Sequence, residues 1–90
     1  MIVDFTAQKV TFTRSTYDKH FKRGNVVSFI AGPPTKWDNA YILAQKGKHP
    51  VSLYKARRLK SGEILILHAF TANPCFLNDQ KNLTILGFLE

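Results

Sequence analysis

Ninety residues make one domain, and a chain this short buries only about two-thirds of its unfolded surface. Apolar residues make up 44%, which excludes a disordered chain, and a single cysteine, Cys75, excludes an internal disulfide or a multi-cysteine zinc site. Thirteen Lys and Arg against six Asp and Glu leave a net charge of +7, a balance that points to a polyanionic partner.

Met1-Ile2-Val3 leads at once into Asp4, with no basic flank and no apolar h-region, so no secretory leader is expected. No apolar run approaches the roughly 20 residues needed to span a bilayer. The absence of disulfide chemistry fits a reducing compartment, and a cytoplasmic protein with no membrane partner is expected. Cys75, between Pro74 and Phe76, reads as a small apolar side chain rather than a reactive thiol.

From Ile2 to Thr13 the pattern is β-like. Val3 and Phe5, then Val10 and Phe12, alternate with polar neighbours, as one bent strand or as two strands broken near Ala7-Gln8. Ser15 and Asp18 resemble a capping signal, and Tyr17 and Phe21 lie four apart, so a short helix is expected up to Gly24. Asn25 can cap a second helix carrying Val26, Val27, Phe29 and Ile30, which Gly32-Pro33-Pro34 ends.

A strand resumes over Trp37–Leu43, and Gln45 to Pro50 is a turn. Val51 to Lys60 fits two templates: Pro50 and Gly62 could bracket a helix, whereas Ser61-Gly62 as a hairpin turn would make it a strand, the preferred assignment. Glu63 to Phe70 is apolar on both faces and reads as a central strand covered on both sides. Asn73-Pro74 breaks it, Asn78 to Asn82 is a polar turn, and Leu83 to Leu89 is a last strand.

The expected fold is a single α+β domain over residues 1–90: a twisted, mostly antiparallel sheet of four to five strands with two short helices packed on one face. Its expected core comprises Val3, Phe5, Phe12, Phe21, Val27, Ile30, Ile42, Ile64, Ile66, Leu67, Phe70, Ile85 and Phe88.

Between Asp38 and Glu63 there is no acid, yet Lys46, Lys48, Lys55, Arg57, Arg58 and Lys60 all lie there. Such cations repel one another unless an anion is near. A second group, Lys19, Lys22 and Arg23 with His20, closes the first expected helix, where cations also offset the helix dipole. Tyr54, Tyr41 and Trp37 are close in sequence to the basic stretch, and such rings either stack on unpaired bases or pack in the core. Nucleic acid, RNA first, is therefore the expected partner, bound through Lys46, Lys48, Tyr54, Lys55, Arg57, Arg58 and Lys60, with Lys19, Lys22 and Arg23 as further contacts.

A catalytic alternative starts from the histidines. Metal-independent RNA cleavage needs a base, an acid and cations on the scissile phosphate, and Arg57, Arg58, His49 and His68 could supply them. No spacing rule ties these residues together, and His68 also reads as a core histidine. Scarce carboxylates and scattered histidines give no expected metal site, and no cofactor is expected.

The run Arg57-Arg58-Leu59-Lys60-Ser61-Gly62-Glu63-Ile64-Leu65-Ile66-Leu67-His68-Ala69-Phe70 places a basic strand before an apolar one. With a preceding strand and two helices, this order resembles the RelE and HigB ribonuclease toxins of the barnase-like group. The resemblance covers about the last third of the domain. It implies a phosphate-binding role for Arg57 or Arg58 and little chemistry in the last strand. The Lys-rich segment that this family carries after the apolar strand is replaced here by Thr71-Ala72-Asn73-Pro74. A third reading is a phage or mobile-element inhibitor, for example an anti-CRISPR protein. It would occupy an acidic or nucleic-acid-binding surface of a partner, since one basic patch serves both RNA and an acidic protein.

Overall fold

The computed structural model describes residues 3–6, 8–79 and 81–89. It holds eight strands: β1 (Val3–Thr6), β2 (Lys9–Phe12), β3 (Val26–Ala31), β4 (Ala40–Lys46), β5 (Ser52–Arg58), β6 (Ile64–His68), β7 (Pro74–Phe76) and β8 (Leu83–Leu89). They form one sheet in the order β1-β2-β3-β8-β4-β5-β6-β7, and every pairing is antiparallel. Two meanders, β1–β3 and β4–β7, are thus joined through the last strand.

The expected α+β class is corrected to nearly all-β. Among the described residues the sole helical element is a 3-10 turn, Leu77–Asp79. The segment 15–24 is an irregular excursion because its polar side chains bind locally instead of continuing a helix. Asp18 Oδ1 accepts the Thr16 hydroxyl at 2.6 Å and the His20 amide at 3.1 Å. Lys19 adopts the left-handed conformation, φ 58°, and Ser15 Oγ accepts the Arg23 amide at 3.3 Å. Phe12 and Asn25 close the base of the excursion, with the Phe12 amide donating to the Asn25 carbonyl at 2.9 Å.

The second expected helix is β3. Val26, Val27 and Ile30 are β-branched, and Val27 and Phe29 alternate inward between exposed neighbours. Its first half, Val26 to Ser28, pairs with β2, and its second half, Phe29 to Ala31, pairs with β8. This handover turns a corner in the sheet. Gly87 of β8 sits there. A Cβ on it would come within 2.6 Å of both the Ile30 carbonyl oxygen and the Phe29 ring. A register shift between Leu43 and Ala44, opposite β8, adds further bend.

The bending is measurable. Phe12 ends β2 and Phe70 follows β6, five strands away in the sheet order, which would put them roughly 24 Å apart in a flat sheet. Their ring centroids are 6.2 Å apart. The sheet therefore curls back on itself around one core built from Val3, Val10, Phe12, Tyr41, Leu43, Val51, Leu53, Ala69, Phe70 and Leu89. The excursion 13–25 packs onto this face through Phe21, which stacks on Phe12 at 4.8 Å. The opposite face carries a smaller cluster, Ile42, Ala56 and Ile66, with Trp37, Tyr54, Ile64, Cys75 and Phe88 packed against it.

Most remaining expectations on secondary structure hold. The first stretch is two strands with the break at Gln8, φ 64°; Ile2 and Ala7 lie outside the described residues. Val51–Lys60 yields a strand, with the Gly62 amide donating to the Leu59 carbonyl in the following turn. β6 is shorter than expected and lies next to the edge strand β7, with Ile66 buried and its other residues half-buried, whereas β8 matches its expected span. β4 starts at Ala40, later than expected, because Asn39 takes the left-handed conformation, φ 56°. β7 was not expected: Pro74 is its first residue, a place where a missing N–H costs an edge strand nothing. Of the expected core, Val3, Phe12, Ile42, Ile66 and Phe70 are buried, while Ile30 is 43% exposed on the outer side of β3.

Candidate nucleic-acid interface

Alternation along β5 divides the basic stretch between the two faces of the sheet. Lys55 and Arg57 share a side with Leu53 and Tyr41, while Ser52, Tyr54, Ala56 and Arg58 lie on the other. Lys55 points at the excursion. Its Nζ is 3.2 Å from Asp18 Oδ2 and lies 5.5 Å from the Tyr41 ring centroid. The Tyr41 hydroxyl donates to the same Oδ2 at 2.5 Å. Burial alone would raise the Asp18 pKa, but hydrogen bonds from Thr16, Tyr41, the His20 amide and Lys55 outweigh it and hold the carboxyl well below the usual range. Burial, then the hydrogen bond to Asp18 and its charge, push the Tyr41 phenol upward. Tyr41 is therefore a buried, neutral part of the frame and offers no ring to a base.

Arg57 and Arg58 belong to a polar recess of about 290 Å³ at one end of β5, which Tyr17, Asp38, Asn39, Lys55 and Leu67 also line. Arg58 Nε lies 3.8 Å from Asp38 Oδ1 in an exposed pair of little energetic weight. Lys60 is exposed in the turn beyond.

His68 and His49 belong to the other end. A recess of about 330 Å³ is lined by Lys46, His49, Pro50, Val51, Ser52, Tyr54 and His68. His68 stands opposite Tyr54 in the β5–β6 ladder, with rings 5.4 Å apart and nearly perpendicular. Burial, with the charge of Arg14, lowers the His68 pKa, and burial raises that of Tyr54. From Tyr54 to Arg57 is about 10 Å along the strand, with the side chains on opposite faces. The four expected catalytic residues Arg57, Arg58, His49 and His68 are thus split between two recesses.

A third recess, about 420 Å³, shares Lys46 and His49 with the second and adds Gly47, Lys48, Asp79, Lys81 and Asn82. Gly47 (φ 56°) shapes the β4–β5 turn, and its amide donates to the Asn82 carbonyl at 2.9 Å. This brings Lys81, which the sequence reading passed over, beside Lys46 and Lys48. Ser52 was also missed; strand alternation across Ser52, Tyr54 and Ala56 was the signal that puts it beside the ring. Lys19, Lys22 and Arg23 are exposed on the excursion, where His20 stacks on Tyr41 at 5.4 Å.

Among the described residues, two of the thirteen cations, Lys55 and Arg58, reach a carboxylate. No group of three or more His, Cys, Asp or Glu among them could hold a metal. Burial pushes the Cys75 thiol pKa upward. None of their helices is long and apolar enough to cross a membrane. No family model matches the chain, and no curated protein or solved structure matches it. The two helices on which the toxin resemblance partly rests have no counterpart among the described residues.

Proposed function

We propose that this protein binds single-stranded RNA through the β4–β5 turn and β5, without cleaving it. The observation that carries the reading is the set of exposed cations without carboxylate partners among the described residues, with Lys46 and Lys48 at the β4–β5 turn, on the side of the partly exposed Tyr54 ring, and Arg57 and Lys60 towards the far end of β5. Cations on phosphates supply affinity, and an aromatic ring on a sheet face stacks on an unpaired base. Binding is favoured over cleavage because the histidines and arginines lie in separate recesses, so no single phosphate would meet both sets.

The test is recovery of the purified protein from lysate with and without nuclease, followed by incubation of the bound RNA with wild type and Arg57→Ala/Arg58→Ala. Intact RNA, lost on nuclease treatment and reduced in the double variant, supports the reading. RNA fragments that the double variant does not produce would replace it with an endoribonuclease. A protein partner that survives nuclease with no RNA held would replace it with an inhibitor acting on a protein surface.

A further inference from the structure

The recess beside Tyr54 carries more detail than a charged surface needs. The Phe70 amide donates to His68 Nδ1 at 3.3 Å, so in the neutral ring the proton sits on Nε2. Nε2–H then donates to Ser52 Oγ at 2.9 Å. Ser52 Oγ is thereby satisfied as an acceptor, and its hydroxyl hydrogen, which this bond does not use, sits on the wall of the recess. A hydroxyl with an unused hydrogen on the wall of a recess can serve an acceptor of a bound ligand. Beside it stand the Tyr54 ring, steadied edge-on by His68, and the apolar Pro50 and Val51. Next door, sharing Lys46 and His49, lies the recess of Lys46, Lys48 and Lys81, which also contains Asp79.

An apolar slot with a ring and one buried hydroxyl donor, opening beside three lysines, matches the two ends of one nucleotide. The geometry points to a nucleotide subsite in which an unpaired base seats against Tyr54 and Pro50. A ring-edge acceptor of the base takes the Ser52 hydroxyl, and the attached phosphate lies over Lys46, Lys48 and Lys81. This rests on the RNA reading above and deepens it by naming where one base is held. The donor gives the subsite a preference: a base edge that presents a carbonyl oxygen or bare ring nitrogen is accepted, and one that presents only an amino group there is not.

The experiment compares two fluorescent ribo-oligomers of equal length, oligouridylate and its abasic counterpart, by anisotropy. The wild type should bind the uridylate about tenfold more tightly or better, the usual gain from one stacked base. Tyr54→Ala should remove that gain, while Tyr54→Phe keeps it. Ser52→Ala and Pro50→Ala should each remove part of it; the latter lies in the turn, outside the strand ladders, and tests the slot even where Tyr54→Ala fails to fold. Equal affinity of the wild type for the two oligomers would overturn the subsite and leave the RNA reading standing. So would full uridylate affinity in both Tyr54→Ala and Ser52→Ala. Failure of both oligomers to bind would overturn the RNA reading itself, and the subsite with it.

Discussion

Lys55 Nζ lies 3.2 Å from Asp18 Oδ2, 37 residues away in sequence, and this contact fastens the 13–25 excursion to the middle of β5. The cation at the centre of the basic strand is thereby committed to the fold, and its neighbours along the strand are left for a ligand. Asp18 also accepts from Thr16, Tyr41 and the His20 amide. Asp18→Ala should strip all of these and destabilise the domain by on the order of 1–3 kcal/mol, measured by urea unfolding. RNA affinity of the folded fraction should not fall, since the change raises the net charge.

The same network sets the pH limits. Asp18 is held below its unfolded value, so its contribution is full above about pH 4 and is lost progressively as the pH falls further. Tyr41 is held above its unfolded value, so its contribution is full below about pH 10 and is lost as the pH rises beyond it. Thermal melts across pH should fall off at both ends. Asp18→Asn should flatten the acid limb and Tyr41→Phe the alkaline one; unchanged limbs in both variants would remove these residues from the account.

Gly87 marks the corner where β3 passes from β2 to β8. Gly87→Ala puts a methyl carbon within 2.6 Å of the Ile30 carbonyl oxygen, a backbone atom that cannot step aside alone. The expected cost is about 1–3 kcal/mol, read by chemical denaturation. A neutral Gly87→Ala would mean that the corner is looser than described.

Ile66 and Ile30 separate core from surface. Ile66 is fully buried on β6, and Ile66→Ala should cost about 2–5 kcal/mol. Ile30, 43% exposed, should lose much less on truncation, within about 0.5 kcal/mol of wild type. Equal losses at the two positions would contradict the assignment of faces.

The strands with clear alternation or a long apolar run, β1, β2, β6 and β8, were legible in the sequence, because a period of two and a continuous apolar stretch leave a local trace. β3 was not. Val26, Val27, Phe29 and Ile30 fit both periods over six residues, and Gly24-Asn25 and Pro33-Pro34 imitate helix ends. The ladders from β2 and β8 decide the matter, and those partners are distant in sequence. Tyr17 and Phe21 lie in an irregular loop and not on one face of a helix: Phe21 stacks on Phe12, and the Tyr17 amide donates to the Ala69 carbonyl. At the candidate site the charge was legible and the partition was not. Only the register reveals that Arg57 lies on the opposite side of β5 from Tyr54, and only the β4–β5 turn brings Lys81 to Lys46.

The most direct test of the central claim is the affinity for single-stranded RNA as a function of salt, for the wild type and for Lys48→Ala. An RNA-binding surface of phosphate contacts predicts a linear log–log decline with increasing salt, and a slope smaller in magnitude by roughly 1 in the variant. Affinity that does not change with salt, or a slope that the loss of Lys48 leaves untouched together with unchanged slopes for Lys46→Ala and Arg57→Ala, would contradict it.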